Sequence, residues 1–188
     1  MTPTTYYKFL KSNHKGEYSA FDYTDYLPKH GRPGKWLPKV DEIEPCESGY
    51  HVCLKKDLSE WANDDLYIVE IRGKKIKSDT KTVAQEMRFV RKVEGWNEKN
   101  CRLAAVEIVR KISLPIWKKY HPDDKTLDDA MDTVERFAYG KATQEDLNAA
   151  RSAARSAARS AAESAAWSAA WSAARSAAWR IIYKYCGL

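Results

Sequence analysis

Leu66-Tyr67-Ile68-Val69-Glu70-Ile71-Arg72, closed by Gly73, is the stretch on which the fold turns. Aromatic and β-branched residues bounded by a glycine have the composition of a strand. Downstream, Thr82 to Val93 sets Val83, Met87 and Phe89 on one side and Glu86 and Arg88 on the other. That alternation predicts a second strand, although Val83, Met87 and Val90 also fit a helix. Upstream, Tyr6 to Leu10 is short and aromatic enough for a first strand, and Glu47 to Leu54 reads as a turn leading into another. Lys55 to Asn63 carries Leu58, Trp61 and Ala62 at helical spacing. Between these, Asn13 to Pro45 is broken by Gly16, Pro28, Gly31, Pro33, Gly34, Pro38 and Pro45 and must be mostly turns. Tyr18, Phe21, Tyr23, Tyr26 and Trp36 make it an ordered cover and not a linker.

Beyond Gly95 the period changes to that of helices. Asn97 opens one that runs to about Ile112, with Leu103 and Val106 on its apolar face. Ser113 to Asp124, with Pro115 and Pro122, reads as a connector. Thr126 to Tyr139 is amphipathic, and Gly140 is placed to stop it. Thr143 with Asp146 resembles a helix start.

From Arg151 to Trp179 the chain repeats Ser-Ala-Ala-X, where X is Arg151, Arg155, Arg159, Glu163, Trp167, Trp171, Arg175 and Trp179. Alanine is the best helix former and neither Gly nor Pro interrupts the run. One long helix from about Thr143 to Tyr183, ~60 Å in length, is expected to project, fold back as a hairpin or pack along a partner. Each repeat advances X by ~40°, so Arg151, Arg155 and Arg159 sit on average about half a turn from Trp167, Trp171 and Trp179. Trp167, Trp171 and Trp179, with Ile182 and Tyr185, are then interface candidates that must be buried on the protein's own domain or on a twin helix. A tolerated spacer is the remaining alternative. The predicted class is α+β: a small mixed sheet with packed helices (1–112), a connector and amphipathic helix (113–142), and a long Ala-rich helix (143–188).

The 188 residues carry 32 Lys and Arg against 26 Asp and Glu, a net charge of +6 that favours anionic partners. Met1 to Leu10 lacks the pattern of a secretion signal, and no apolar run reaches the ~18 residues of a membrane span. The four cysteines are expected to be free thiols, with a Cys46–Cys53 disulfide as the alternative.

The common catalytic motifs are missing: there is no phosphate loop, no His-Glu-x-x-His, no nucleophile elbow and no dinucleotide fingerprint. Cys46, His51 and Cys53 could offer zinc three ligands, with a fourth from His14, His30, His121 or Cys101. Their spacing matches no common zinc arrangement, so no metal and no cofactor are expected. What remains are residues suited to an anionic, ring-containing ligand: Lys35, Trp36, His51, Tyr67, Lys81, Arg88 and Arg91. Arginines fork onto phosphate and aromatic faces stack on bases. Glu70 is either paired with an arginine or catalytic.

The order Trp36-Leu37-Pro38, Cys46, Gly49-Tyr50-His51-Val52-Cys53, Leu58 with Trp61, Tyr67-Ile68-Val69-Glu70 with Gly73, and Lys81 resembles an uncharacterised family of small proteins encoded by bacteriophages and some bacteria. The likeness covers Tyr6 to Ile112. The segment Glu135-Arg136-Phe137-Ala138-Tyr139-Gly140 and the repeat after it look like tails found on several kinds of phage protein. The resemblance implies an accessory protein made in the bacterial cytoplasm. The expected function is non-enzymatic: counter-defence by sequestering a nucleotide-derived immune signal or blocking a host defence protein, with the C-terminal helix building a homo-oligomer. The alternatives are an ADP-ribosyltransferase-like enzyme using His51 and Glu70, and nucleic-acid binding through Arg151, Arg155 and Arg159. No membrane partner is expected.

Overall fold

The central strand outruns its sequence pattern. In the computed structural model, which describes residues 4–162 and 177–188 (side chains of 157–162 excepted), it continues through Gly73 to span Asp65–Lys77. Continuation past the glycine has a local cause. Between Arg72 and Lys75 the register with the neighbouring strand shifts. Gly73 takes φ +80°, and Gln85 Oε1 accepts the Lys74 N–H at 3.0 Å, so a bulge absorbs the glycine where the strand was expected to close. The described residues form four strands, β1 (Tyr6–Leu10), β2 (Tyr50–Val52), β3 (Asp65–Lys77) and β4 (Thr82–Lys92), all antiparallel in the order β1-β3-β4-β2. Lys55–Glu60 forms a 3₁₀ helix.

The sheet curls. Cys53, just past β2, exchanges both backbone hydrogen bonds with Tyr7 of β1 at 2.9 Å, bringing the two outer strands together. The long loop before β2 is ordered, as its aromatic content predicts. Gly34, Leu37 and Val40 donate to the carbonyls of Phe89, Met87 and Gln85 at 2.8, 2.9 and 3.0 Å, along the side of β4 that β2 leaves open. Pro38, which has no N–H, falls between two of these donors. The loop contributes Tyr23 and Leu37 to a core with Leu10, Tyr50, Val52, Tyr67, Val69, Met87 and Phe89.

The chain divides into two compact units, Met1–Glu94 and Gly95–Leu188. The boundary falls at residue 94, ahead of the expected 112, because the first helix packs with helices that follow it. Helix α1 (Glu98–Ile108) starts on Asn97, whose side chain accepts the Asn100 N–H. It leads through a wide π-type turn, Val109–Ser113, into α2 (Leu114–Tyr120). The stretch read as a connector is thus helical. Pro115 sits in the first turn of α2, where a missing N–H costs little, and the wide turn before it accommodates the ring.

Helix α3 (Thr126–Ala138) closes at Gly140, φ +69°. Arg110 bridges to Asp132 and Glu135 of α3 at 2.6 Å each. Helix α4 (Gln144–Ala162) begins with a reciprocal cap: Thr143 Oγ1 accepts from Asp146 N–H at 3.1 Å, and Asp146 Oδ2 accepts from Thr143 N–H at 2.8 Å. Hydrogen bonds donated by the Thr143 N–H and hydroxyl to Oδ2 hold the Asp146 carboxyl below its usual pKa. Leu147 is fully buried, and Ala154 packs on Leu114, Trp117 and Leu127.

Residues 177–186 are also helical and lie against α1. Trp179 stacks on Trp96, with centroids 6.5 Å apart and planes 3° from parallel, and Lys184 reaches Glu107 at 3.1 Å. The C-terminal helix of the α+β class is present. Whether it runs unbroken from Thr143 falls outside the described residues, as do Trp167 and Trp171.

Gly95 sets how closely the C-terminus approaches α1. A Cβ there would lie 2.1 Å from the Cys186 carbonyl oxygen, a backbone atom that cannot swing aside. Gly95→Ala should cost about 2 kcal/mol by overpacking and speed hydrogen exchange at amides of 177–186. Unchanged exchange there would show that the contact is not limiting.

Candidate functional site

Between β2 and the loop before it, Glu44 to Ser48 forms a tight turn. Glu44 and Ser48 exchange backbone hydrogen bonds at 3.0 Å, and Ser48 Oγ donates to the Glu42 carbonyl at 2.8 Å. Cys46 occupies the middle of it with φ +73°, a conformation that costs a residue with a Cβ of order 1 kcal/mol. His51 braces the turn. Its Nε2 accepts the Cys46 N–H at 3.0 Å, so the imidazole is held in its neutral form. Burial, and then the positive charges of Lys8 and Lys81, push its pKa down.

Lys8 stands in the middle of β1. Its Nζ donates to the His51 carbonyl at 2.9 Å and lies 5.4 Å from the centre of the Tyr23 ring. Burial lowers its pKa to about 8, opposed by the nearby Cys53 sulfur. Cys53 itself is buried, its thiol directed at the Tyr7 carbonyl at 3.6 Å, and burial pushes its pKa up to about 12. It is an inert thiol by that measure. Cys46, by contrast, is exposed, with Lys81 Nζ 2.8 Å from its sulfur. The same ammonium lies 5.2 Å from the centre of the Trp61 ring, and Trp61 Nε1 donates to the Thr80 carbonyl at 3.1 Å.

These groups line one cleft of about 630 Å³, to which Tyr18, Tyr23 and Phe9 add aromatic surface and Glu17 and Glu47 add carboxylates. Its volume is within the usual range for small-molecule sites. Among the described residues, no three His, Cys, Asp or Glu side chains converge as metal ligands.

Of the residues singled out in the sequence for an anionic ligand, His51 and Lys81 line this cleft. The others are elsewhere in the same unit. Trp36 packs against Arg72 and Arg88, 4.1 and 4.9 Å from its ring centre, and Lys35 covers Tyr26 at 4.5 Å. Tyr67 is buried edge-on to Phe89, and Arg91 is exposed on β4. Glu70 is paired with Arg88 at 2.6 Å. His51 faces Val83 across the sheet and Glu70 faces Arg88, five residues further along β4. At the strand rise that is ~16 Å, so the two residues of the transferase alternative do not share a site.

Lys8 escaped the sequence reading, yet it had a signal: a lone charge inside Tyr-Tyr-Lys-Phe-Leu. Trp179, Ile182 and Tyr185, the described interface candidates, are partly buried within the second unit. Arg151 and Arg155 are exposed on α4. No described helix is long and apolar enough to cross a membrane. Comparison of the chain with protein families, curated proteins and solved structures finds no match in any of the three.

Proposed function

We propose that the first unit is a non-enzymatic binding module that holds a nucleotide-derived anion in the cleft of Lys8, Lys81 and Trp61. One observation carries this reading: two ammonium groups and an indole face share a single recess of nucleotide size. Lysines neutralise phosphate, and an indole face accepts a base by stacking. His51 has its Nε2 engaged by the turn, so its part is to hold the rim and not to grip the ligand. In the setting implied by the phage-like sequence pattern, such a module would act in the host cytoplasm by sequestering a nucleotide immune signal. Blocking a host defence protein is the second form of the same role, and the C-terminal helix is the surface on which copies of the chain would assemble.

The test is titration calorimetry of the intact chain with mono-, di- and cyclic nucleotides, together with mass spectrometry of whatever heat releases from protein purified out of signalling cells. One nucleotide per cleft is expected, with affinity falling as salt rises. Lys81→Met should weaken binding about tenfold, the worth of a charge-assisted contact. Trp36→Ala, outside the cleft and against its two arginines, should leave binding unchanged. Protein that releases nothing and binds none of the panel would overturn the reading and leave a protein partner as the role to pursue.

A further inference from the structure

We propose that Cys46 and Lys81 form a reversible covalent cross-link under oxidation, in which one oxygen atom bridges Sγ and Nζ. The two atoms already stand 2.8 Å apart, a gap that two single bonds through one bridging oxygen span with little movement. Their carriers are 35 positions apart in sequence, so chain connectivity does not force the meeting. Each is held from its own side. The cysteine is fixed at positive φ by the 44–48 turn and by His51, and the lysine is anchored by the Ser78 N–H to Lys81 carbonyl bond at 2.8 Å with its ammonium over Trp61. The sulfur is exposed, so a small oxidant reaches it.

The chemistry follows the ordinary course of cysteine oxidation, diverted by a neighbouring amine. One hydrogen peroxide transfers an oxygen to Sγ, giving the sulfenic acid and releasing one water. The Lys81 nitrogen then bonds to that oxygen. A second peroxide takes up the two hydrogens lost from the S–OH and the amine and becomes two waters. In sum, thiol, amine and two peroxides give the S–O–N bridge and three waters, with sulfur and nitrogen together losing four electrons. Two equivalents of a dithiol return four electrons and four protons, restoring thiol, amine and one water.

The consequence lies in the cleft. The bridge removes the Lys81 ammonium, one of the two cations there, and ties the 44–48 turn to the start of β4. On the binding role proposed above, oxidation turns nucleotide affinity down. The cross-link itself does not depend on that role.

Reduced full-length protein treated with hydrogen peroxide and digested without reductant provides the test. Joined peptides containing Cys46 and Lys81 should weigh about 14 Da more than their sum, one oxygen gained and two hydrogens lost, and should separate on reduction. Cys46→Ser abolishes the joined species. Lys81→Arg, which keeps a cation over Trp61 and so keeps the fold, also abolishes it. The proposal is overturned if Cys46 instead gains about 16 or 32 Da on its own, if the joined peptides weigh about 2 Da less than their sum through a direct S–N bond, or if neither peptide changes. Calorimetry separates this from the binding role: reduced protein that binds nucleotide but never cross-links rejects only the bridge. Cross-linked protein whose reduced form binds nothing rejects only the ligand.

Discussion

Lys8→Met should cost about thirtyfold in nucleotide affinity while making the protein more stable at pH 7. The loss follows from removing a partly desolvated ammonium from the cleft, a charged hydrogen bond worth ~2 kcal/mol. The gain follows from the cost of burying that charge. Folding lowers the Lys8 pKa from 10.5 to about 8, so the unfolded chain binds its proton more tightly than the folded one. A depressed lysine penalises the fold fully below pH 8, and the penalty lifts as pH rises from about 8 to 10.5. With allowance for partial exposure, and for the lost bond to the His51 carbonyl and the lost contact with Tyr23, the net gain at pH 7 is on the order of 1 kcal/mol. Relative to the methionine variant, wild type should therefore gain stability across that pH window, since the contributions of the buried Cys53 thiol and the buried tyrosines are common to both. Denaturant titrations at pH 7 and pH 10 compare the two directly. Parallel pH profiles would show that Lys8 is solvated in the folded state.

Phe89→Ala is expected to lower stability by about 3 to 5 kcal/mol, the usual cost of emptying a phenylalanine site in a closed core. Phe89 is wholly buried and meets Tyr23 edge-on at 5.5 Å and Tyr67 at 5.2 Å. Neither ring can fill the space easily. Tyr23 comes from the covering loop and Tyr67 from β3, so one deletion loosens loop and sheet together. Its backbone carbonyl also receives the Gly34 N–H, and the loop should lose protection from hydrogen exchange along with the core. A change below 1 kcal/mol in chemical denaturation would mean that the surrounding side chains collapse into the site.

Strands and helices were legible in the sequence where the apolar pattern was strong, even at β4, where a helical period also fitted. β1 has the bounds its aromatic run suggested, and β4 ends one residue early. Where a special residue had two physical uses, the sequence could not choose between them. Gly73 could end a strand or sit in a bulge, and Pro115 could break a helix or open one. The site was legible only in part for a different reason. His51 and Lys81 were found by chemistry, but so were Arg88, which pairs with Glu70 on the sheet, and Trp36, which the route of the loop carries to another place. No local pattern encodes that route, since it depends on which β4 carbonyls the loop amides meet. Lys8 was passed over because a charge on a strand usually faces water, and here the curl of the sheet folds it inward.

The bonds from Gly34, Leu37 and Val40 to β4 have a further bearing, on how the protein keeps to itself. A sheet edge with bare carbonyls invites a strand from another molecule, and Met87 and Phe89 would make that strand an adhesive one. The loop occupies those carbonyls without being a strand, so it offers no edge of its own for the next molecule to extend. A protease cut among its exposed residues near Gly31 would do more than nick a surface segment. It would unmask the side of β4 and turn a self-contained sheet into a template for aggregation.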